Sequence, residues 1–170
     1  MTGNTVEPRI LGYLARRLAD LIDILPADPA AIDLATAADH VARLSYDTER
    51  ATAWINTALN SAIPVPLPQR EAIEQLTDAM IPMADAQQAL TRALAHVAYG
   101  YRTAAIPGVG HSHLRADETT SRIIAADFYA RARGHLAKAT ADLRRGPRPA
   151  LRIPAPHAAP ASAPRTGPRR

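Results

Sequence analysis

The sequence predicts an all-α protein: an antiparallel bundle of four main helices, followed by a disordered, basic C-terminal tail. Three observations carry this expectation. Leu, Ile and Ala recur at spacings of three and four over long stretches, which gathers them on one side of a helix. Clusters of Pro and Gly interrupt those stretches at only a few places. The chain is 47% apolar but only 4% aromatic, and it holds no alternating run of β-branched and aromatic residues of the kind a sheet needs. Much of the apolar share is alanine, which loses little side-chain entropy in a helix and lets neighbouring backbones approach closely.

The first helix is expected from about Thr5 to Leu25, with Leu11, Leu14, Leu18, Leu21 and Leu25 on a single stripe. Asn4 can cap it, and Pro8 is tolerated in the first turn. Pro26-Ala27-Asp28-Pro29 ends this helix, and Asp28 caps a second that opens on Pro29. So short a connection implies antiparallel neighbours. The second helix runs to about Ser61, with Leu34, Ala38, Val41, Ser45, Thr48, Thr52, Ile55 and Leu59 as its inward stripe. The middle of that stripe is polar, which leaves continuity through Ser45 open.

Pro64-Val65-Pro66-Leu67-Pro68 forces extended backbone. A third helix follows from Pro68 to about Ala104, on a stripe of Ile73, Leu76, Met80, Met83, Gln87, Leu90, Leu94, Val97 and Tyr101. Pro82 falls inside it. Ile81 is a poor cap and the apolar phase continues across the proline, so one helix kinked at Pro82 is expected. Residues 106–113 should form a loop. A fourth helix should start near Asp117 and bury Ile124, Phe128, Ala132, Leu136, Ala139 and Leu143. Arg144-Arg145-Gly146-Pro147 is a stop signal. Residues 1–146 are therefore expected to form the bundle and 147–170 the tail.

Charge is divided unevenly. All 16 Asp and Glu and 13 of the 20 Lys and Arg precede residue 144, whereas Arg144, Arg145, Arg148, Arg152, Arg165, Arg169 and Arg170 follow without an acid. A segment of Pro, Ala and Arg buries too little apolar surface to offset its ordering entropy. Its arginines attract polyanions through phosphate, without stacking rings of their own. The chain has no cysteine, which excludes disulfides and thiol chemistry. No secretory leader or membrane span is expected, and the expected setting is the cytoplasm.

Candidate chemistry is sparse. A di-metal bundle centre needs Glu-x-x-His pairs, and none occurs. His111, His113 and Asp117 lie close in sequence but lack further ligands. His40, His96 and His135 fall on three helices and form no cluster. No phosphate-binding loop accompanies Gly108-Val109-Gly110. Gln87 occupies a core position, and pairing helices 2 and 3 about their connector brings it near Ser45 and Thr48. These three form either a buried polar layer that sets register or a wet edge. Trp54, Tyr46, Tyr99 and Tyr129 flank their stripes, where aromatics mark an interface or cover a helix seam. No enzyme, cofactor or metal site is expected. The leading expectation is a non-enzymatic interaction or scaffold protein able to self-associate, with a protein or a second copy as partner. Alternatives are weak, non-specific nucleic-acid binding through the tail, and a small-molecule sensor with a pocket near Met80, Met83 and Phe128.

Overall fold

The computed structural model describes residues 8–60, 64–104 and 111–145. They form four α-helices, α1 (Pro8–Ile24), α2 (Leu34–Leu59), α3 (Leu67–Ala104) and α4 (His111–Arg144), and a 3-10 turn at Pro29–Ala31 between the first two. None of these helices is long and apolar enough to cross a membrane. α1 is the shortest at 17 residues. Each helix packs on the next in sequence and α4 returns to α1, so the order around the bundle is α1, α2, α3, α4. Side-chain pairs fix the directions. Tyr13 meets Trp54 where Arg17 meets Asp47, Leu34 lies by Gly100 where Ser45 meets Gln87, and Gln75 meets Asp142 where Asp85 meets His135, so each helix is antiparallel to the next.

The α1 stripe is buried throughout, from Leu11 to Leu25. Its C-terminus is closed from α4, where the Arg133 guanidinium donates to the carbonyls of Leu25 (3.1 Å) and Pro26 (3.0 Å). These bonds satisfy the first two carbonyls past the helix end, which have no helical partner. Asp28 does cap a helical turn, accepting from the Ala30 amide at 2.9 Å, but that turn is only Pro29–Ala31. α2 begins later than its sequence suggests, at Leu34. There Asp33 accepts from the Thr36 amide at 2.7 Å and from its hydroxyl at 2.9 Å. Those bonds hold the Asp33 carboxyl below its usual pKa, led by the one from the Thr36 amide. The displacement lets Ile32, between the two caps, become fully buried.

α2 is continuous through Ser45, whose hydroxyl donates to its own helix at the Val41 carbonyl (2.9 Å). The buried stripe of α2 is not the expected one. Ala37, His40, Leu44, Asp47, Ala51 and Ala58 face the core, while Ala38, Thr52 and Leu59 are exposed and the rest of the expected set is half-buried. The cause is one residue of rotation: His40 and Asp47 are polar members of the core stripe, and each is satisfied there by a partner on another helix.

α3 runs through Pro82 as a single helix. Leu76, Met83, Leu90 and Val97 are buried, whereas Tyr101 at the end of the expected stripe is exposed. Beside these anchors runs a second set of small residues, Ala72, Ala79, Ala86, Ala93 and Gly100, seven apart and all buried. α4 carries its own set at the same spacing, Ala125, Ala132 and Ala139. This pair of helices is the most extensively packed in the bundle. At Gly100 the approach is so close that a Cβ would lie 3.0 Å from Ser121 Cβ and 3.4 Å from Glu118 Cα. Gly100 is required there by proximity.

α4 starts at His111, six residues before Asp117. Gly110 is the last breaker in that region, and nothing in His111–Ala116 costs enough helix propensity to stop a turn from forming. Its C-terminal stripe from Ala132 to Leu143 is buried as expected, but Ile124 is exposed and Phe128 only half-buried. Ser121, Ala125 and Tyr129 occupy the core instead. The Gln75 amide donates to the Asp142 carbonyl at 2.7 Å and so closes the end of α4. Gly146 and the chain beyond it lie outside the described residues.

Candidate functional site

Two turns of α1 and three of α2 build a cluster of rings and guanidinium groups at the seam between these helices. Tyr13 and Arg17 are four apart on α1, and Tyr46, Arg50 and Trp54 are four apart on α2, so each set lies along one helix face. Antiparallel packing brings the sets together. Tyr13 and Trp54 meet edge to face with ring centres 6.4 Å apart. The Arg50 guanidinium lies over three rings, 5.2 Å from Trp54, 5.5 Å from Tyr13 and 5.7 Å from Tyr46. Arg17 lies 6.0 Å from Tyr13 and 5.8 Å from Tyr46. These are cation–π distances. The cluster is only partly accessible: Tyr46 is 50% exposed and Tyr13 38%, but Arg50 is half-buried and Trp54 packs against the core.

The two arginines are electrostatically unlike. Arg17 donates from Nε to Asp47 Oδ1 at 2.6 Å, and Asp47 is 2% exposed. That hydrogen bond, above all, raises the Arg17 pKa further from its ordinary value. Arg50 donates only to the Tyr46 hydroxyl, at 3.2 Å, and has no carboxylate partner among the described residues. One of the two charges is thus neutralised inside the bundle and the other is not.

A second face lies on the outside of the α3–α4 pair. Ala95, His96 and Tyr99 of α3 and Asp117, Thr120, Ser121 and Ile124 of α4 line a shallow groove of about 420 Å³. At its edge the His96 and Phe128 rings stack 5.5 Å apart at 18°. Arg131 and Arg92 lie over Phe128 at 5.3 and 5.9 Å. A third concavity, of about 610 Å³, lies where the N-terminus of α2 meets α3 and α4, between Asp33, Tyr101, Glu118 and Arg122.

The residues singled out from sequence fall as follows. Tyr46 and Trp54 belong to the α1–α2 cluster, and Tyr99 to the α3–α4 groove. Tyr129 belongs to neither: it is 1% exposed, and its hydroxyl lies 3.0 Å from His40 Nδ1. Its ring turns into the core because His40, on the facing helix, gives the phenol a buried partner. Burial pushes the Tyr129 pKa up to about 12 and lowers that of His40.

Gln87 and Ser45 are brought together, with Nε2 donating to Oγ at 2.8 Å, but both are half-buried. Thr48 lines the same groove and donates to the Leu44 carbonyl. Gln87→Leu should therefore change stability by less than about 0.5 kcal/mol. One partly wet hydrogen bond is exchanged for partial apolar contact. Urea denaturation checks this, and a gain near 1 kcal/mol would mean that the amide is poorly paired.

Met83 is buried in the core, and Met80 and Phe128 pack against it. None of the three lines the grooves just described. His135 Nδ1 lies 3.7 Å from Asp85, apart from His40 and His96. Among the described residues no three His, Asp or Glu side chains gather as metal ligands. The side chains of His111 and His113 lie outside the described residues. So do Arg148, Arg152, Arg165, Arg169 and Arg170. Arg144 is exposed, and Arg145 pairs with Asp142.

Sequence reasoning missed Tyr13, Arg17 and Arg50. Their signal was present as the four-residue spacing of Tyr13-Arg17 and Tyr46-Arg50-Trp54. No family model, no curated protein and no solved structure matches this chain.

Proposed function

We propose that this protein is a non-enzymatic helical scaffold that self-associates through the outer face of the α3–α4 pair. The observation that carries this is the position of Ile124 and Phe128. They sit at core-like spacing, yet Ile124 is exposed and Phe128, packed against the core on one side, is only half-buried, beside Tyr99 and a concave, mainly apolar groove. Contiguous apolar surface of that kind is more often an interface than chance exposure. Both signs of charge border it, Arg92 and Arg131 on one side and Asp117 at the groove, which suits a twofold contact between identical faces. The buried ionisable groups support a non-catalytic reading. His40, Tyr129 and Asp47 are each turned to a partner inside the protein, and none of the three lines the grooves described above.

Sedimentation velocity over a hundredfold range of concentration tests this. The wild-type sedimentation coefficient should rise with concentration. Ile124→Asp should weaken association at least tenfold, with an unchanged melting temperature because Ile124 is not a core residue. A wild-type protein that stays monomeric throughout, or a variant that associates equally well, overturns the proposal.

A further inference from the structure

The concavity at the start of α2 differs in character from the self-association face. α1 ends level with Arg133 of α4, about three helical turns from Arg122, so this hollow is lined from α2, α3 and α4 alone. The residues that face one another across it are small. Ala35 and Ala38 fill little of the space, and a Cβ at Gly100 would crowd Ser121. The volume left open is about 610 Å³, which lies within the range of small-molecule sites. Buried Val97 and half-buried Leu34 give it an apolar interior.

We infer that the hollow binds a small amphipathic amine, with its ammonium on Glu118 and Ser121 and its apolar body against Leu34, Ala38 and Val97. Two independent observations meet here. The first is an unsatisfied hydroxyl. Ser121 is 5% exposed and lines the hollow, yet its Oγ has no hydrogen-bond partner among the described residues. Ser45, Thr48 and Thr91 each donate to their own helix one turn back; Ser121 does not. A buried hydroxyl left unpaired is costly. Unlike the sealed Thr140 hydroxyl, this one is open to a group in the hollow.

The second observation is the charge at the mouth. Asp33 and Glu118 share it with one guanidinium, Arg122, which donates to Glu118 Oε1 at 2.6 Å. Glu118 Oε2 has no partner among the described residues. Two carboxylates against one guanidinium leave the mouth negative, and a positive group complements it. Glu118 and Ser121 are three residues apart, so they lie on one face of α4. An ammonium has donors enough to meet Glu118 Oε2 and Ser121 Oγ together. Tyr101, exposed at the same hollow, offers a ring face that also favours a cation. A ligand carboxylate would instead add a third negative charge beside a guanidinium that is already engaged.

The test uses the full chain with phenylbutylammonium as the probe and phenylbutyrate as its counterpart of opposite charge. Isothermal titration calorimetry at pH 7 should show one site per chain and at least tenfold tighter binding of the amine. Glu118→Gln should remove most of that advantage, and Ser121→Ala should weaken the amine severalfold. Ala38→Phe fills the hollow from an exposed position, so it should abolish binding while the melting temperature stays unchanged. Ile124 lines the outer groove and not this hollow. Ile124→Asp should therefore leave amine binding intact, and the inference stands or falls separately from self-association. Phenylbutyrate binding as tightly as the amine, or no amine binding below about 10 mM, overturns the inference. So does full amine affinity in Glu118→Gln or in Ala38→Phe, and so does loss of binding in Ile124→Asp, which would place the amine on the outer face.

Discussion

Arg17→Ala should destabilise the protein by about 2–3 kcal/mol, measured as the shift in the urea midpoint at pH 7. The reason lies in what it leaves behind. Asp47 is 2% exposed and depends on Arg17 for its charge partner. Truncating one member of a buried ion pair costs roughly 3–5 kcal/mol, because the other charge stays desolvated and unpaired. Arg17 keeps about a third of its side chain in solvent, so the buried carboxylate regains some hydration and the lower figure applies. Asp47→Asn is the informative companion. It removes the charge, keeps a group that can meet Arg17, and should cost less than Arg17→Ala. If Arg17→Ala proved no more harmful than a surface substitution, Asp47 would have another source of stabilisation.

Asp47 also explains where the sequence stopped being legible. The α1 stripe was readable in full because five leucines at alternating spacing admit one burial pattern. The main anchors of α3 were readable for the same reason, and its antiparallel register with α2 followed from the length of the connector. α2 was misjudged by one residue. Its core positions hold His40, Asp47, three alanines and a single large apolar residue, Leu44, whereas the next stripe holds Leu34, Val41, Ile55 and Leu59. Hydropathy alone favours the second stripe. The first wins because Arg17 and Tyr129 satisfy its polar members, and those partners are 30 and 89 positions away. Periodicity within one helix carries no information about such partners.

α4 shows the converse. Ile124 and Phe128 have the hydropathy of core residues, but Ile124 is exposed and Phe128 only half-buried, whereas Tyr129 lies inside. Close packing of Ala125 and Ala132 sets the rotation of this helix more firmly than the larger side chains do. α1 and α2 approach each other far less closely than α3 and α4 do, and long side chains span their seam. There Tyr13, Arg17, Tyr46, Arg50 and Trp54 interleave, so the cluster is a consequence of how the bundle closes. Its chemistry was visible residue by residue, but its assembly required two helices to be placed together.

The pair of His40 and Tyr129 gives the second large effect. Tyr129→Phe should cost about 1–3 kcal/mol, because it leaves a buried imidazole nitrogen without its hydrogen bond. Replacing both members, as His40→Leu with Tyr129→Phe, should recover most of that loss, since apolar groups of similar shape have nothing left unpaired. The two substitutions are therefore expected to be strongly non-additive. They should also differ in pH dependence. His40 has a lowered pKa in the folded protein, chiefly because burial disfavours its charged form; Arg43 lowers it further, and Asp39 and Asp33 oppose the shift. The unfolded chain then binds the proton more readily than the folded one. Stability contributed by neutral His40 is fully present above an unfolded-state pKa of about 6.5. It falls as pH drops below that value and levels off below the folded-state pKa. The wild-type protein and Tyr129→Phe should both lose stability on moving from pH 7 to pH 5, while the double variant should lose distinctly less. Parallel pH profiles for all three would remove His40 as the titrating group, and additive losses in the double variant would mean that the two side chains do not act as a pair.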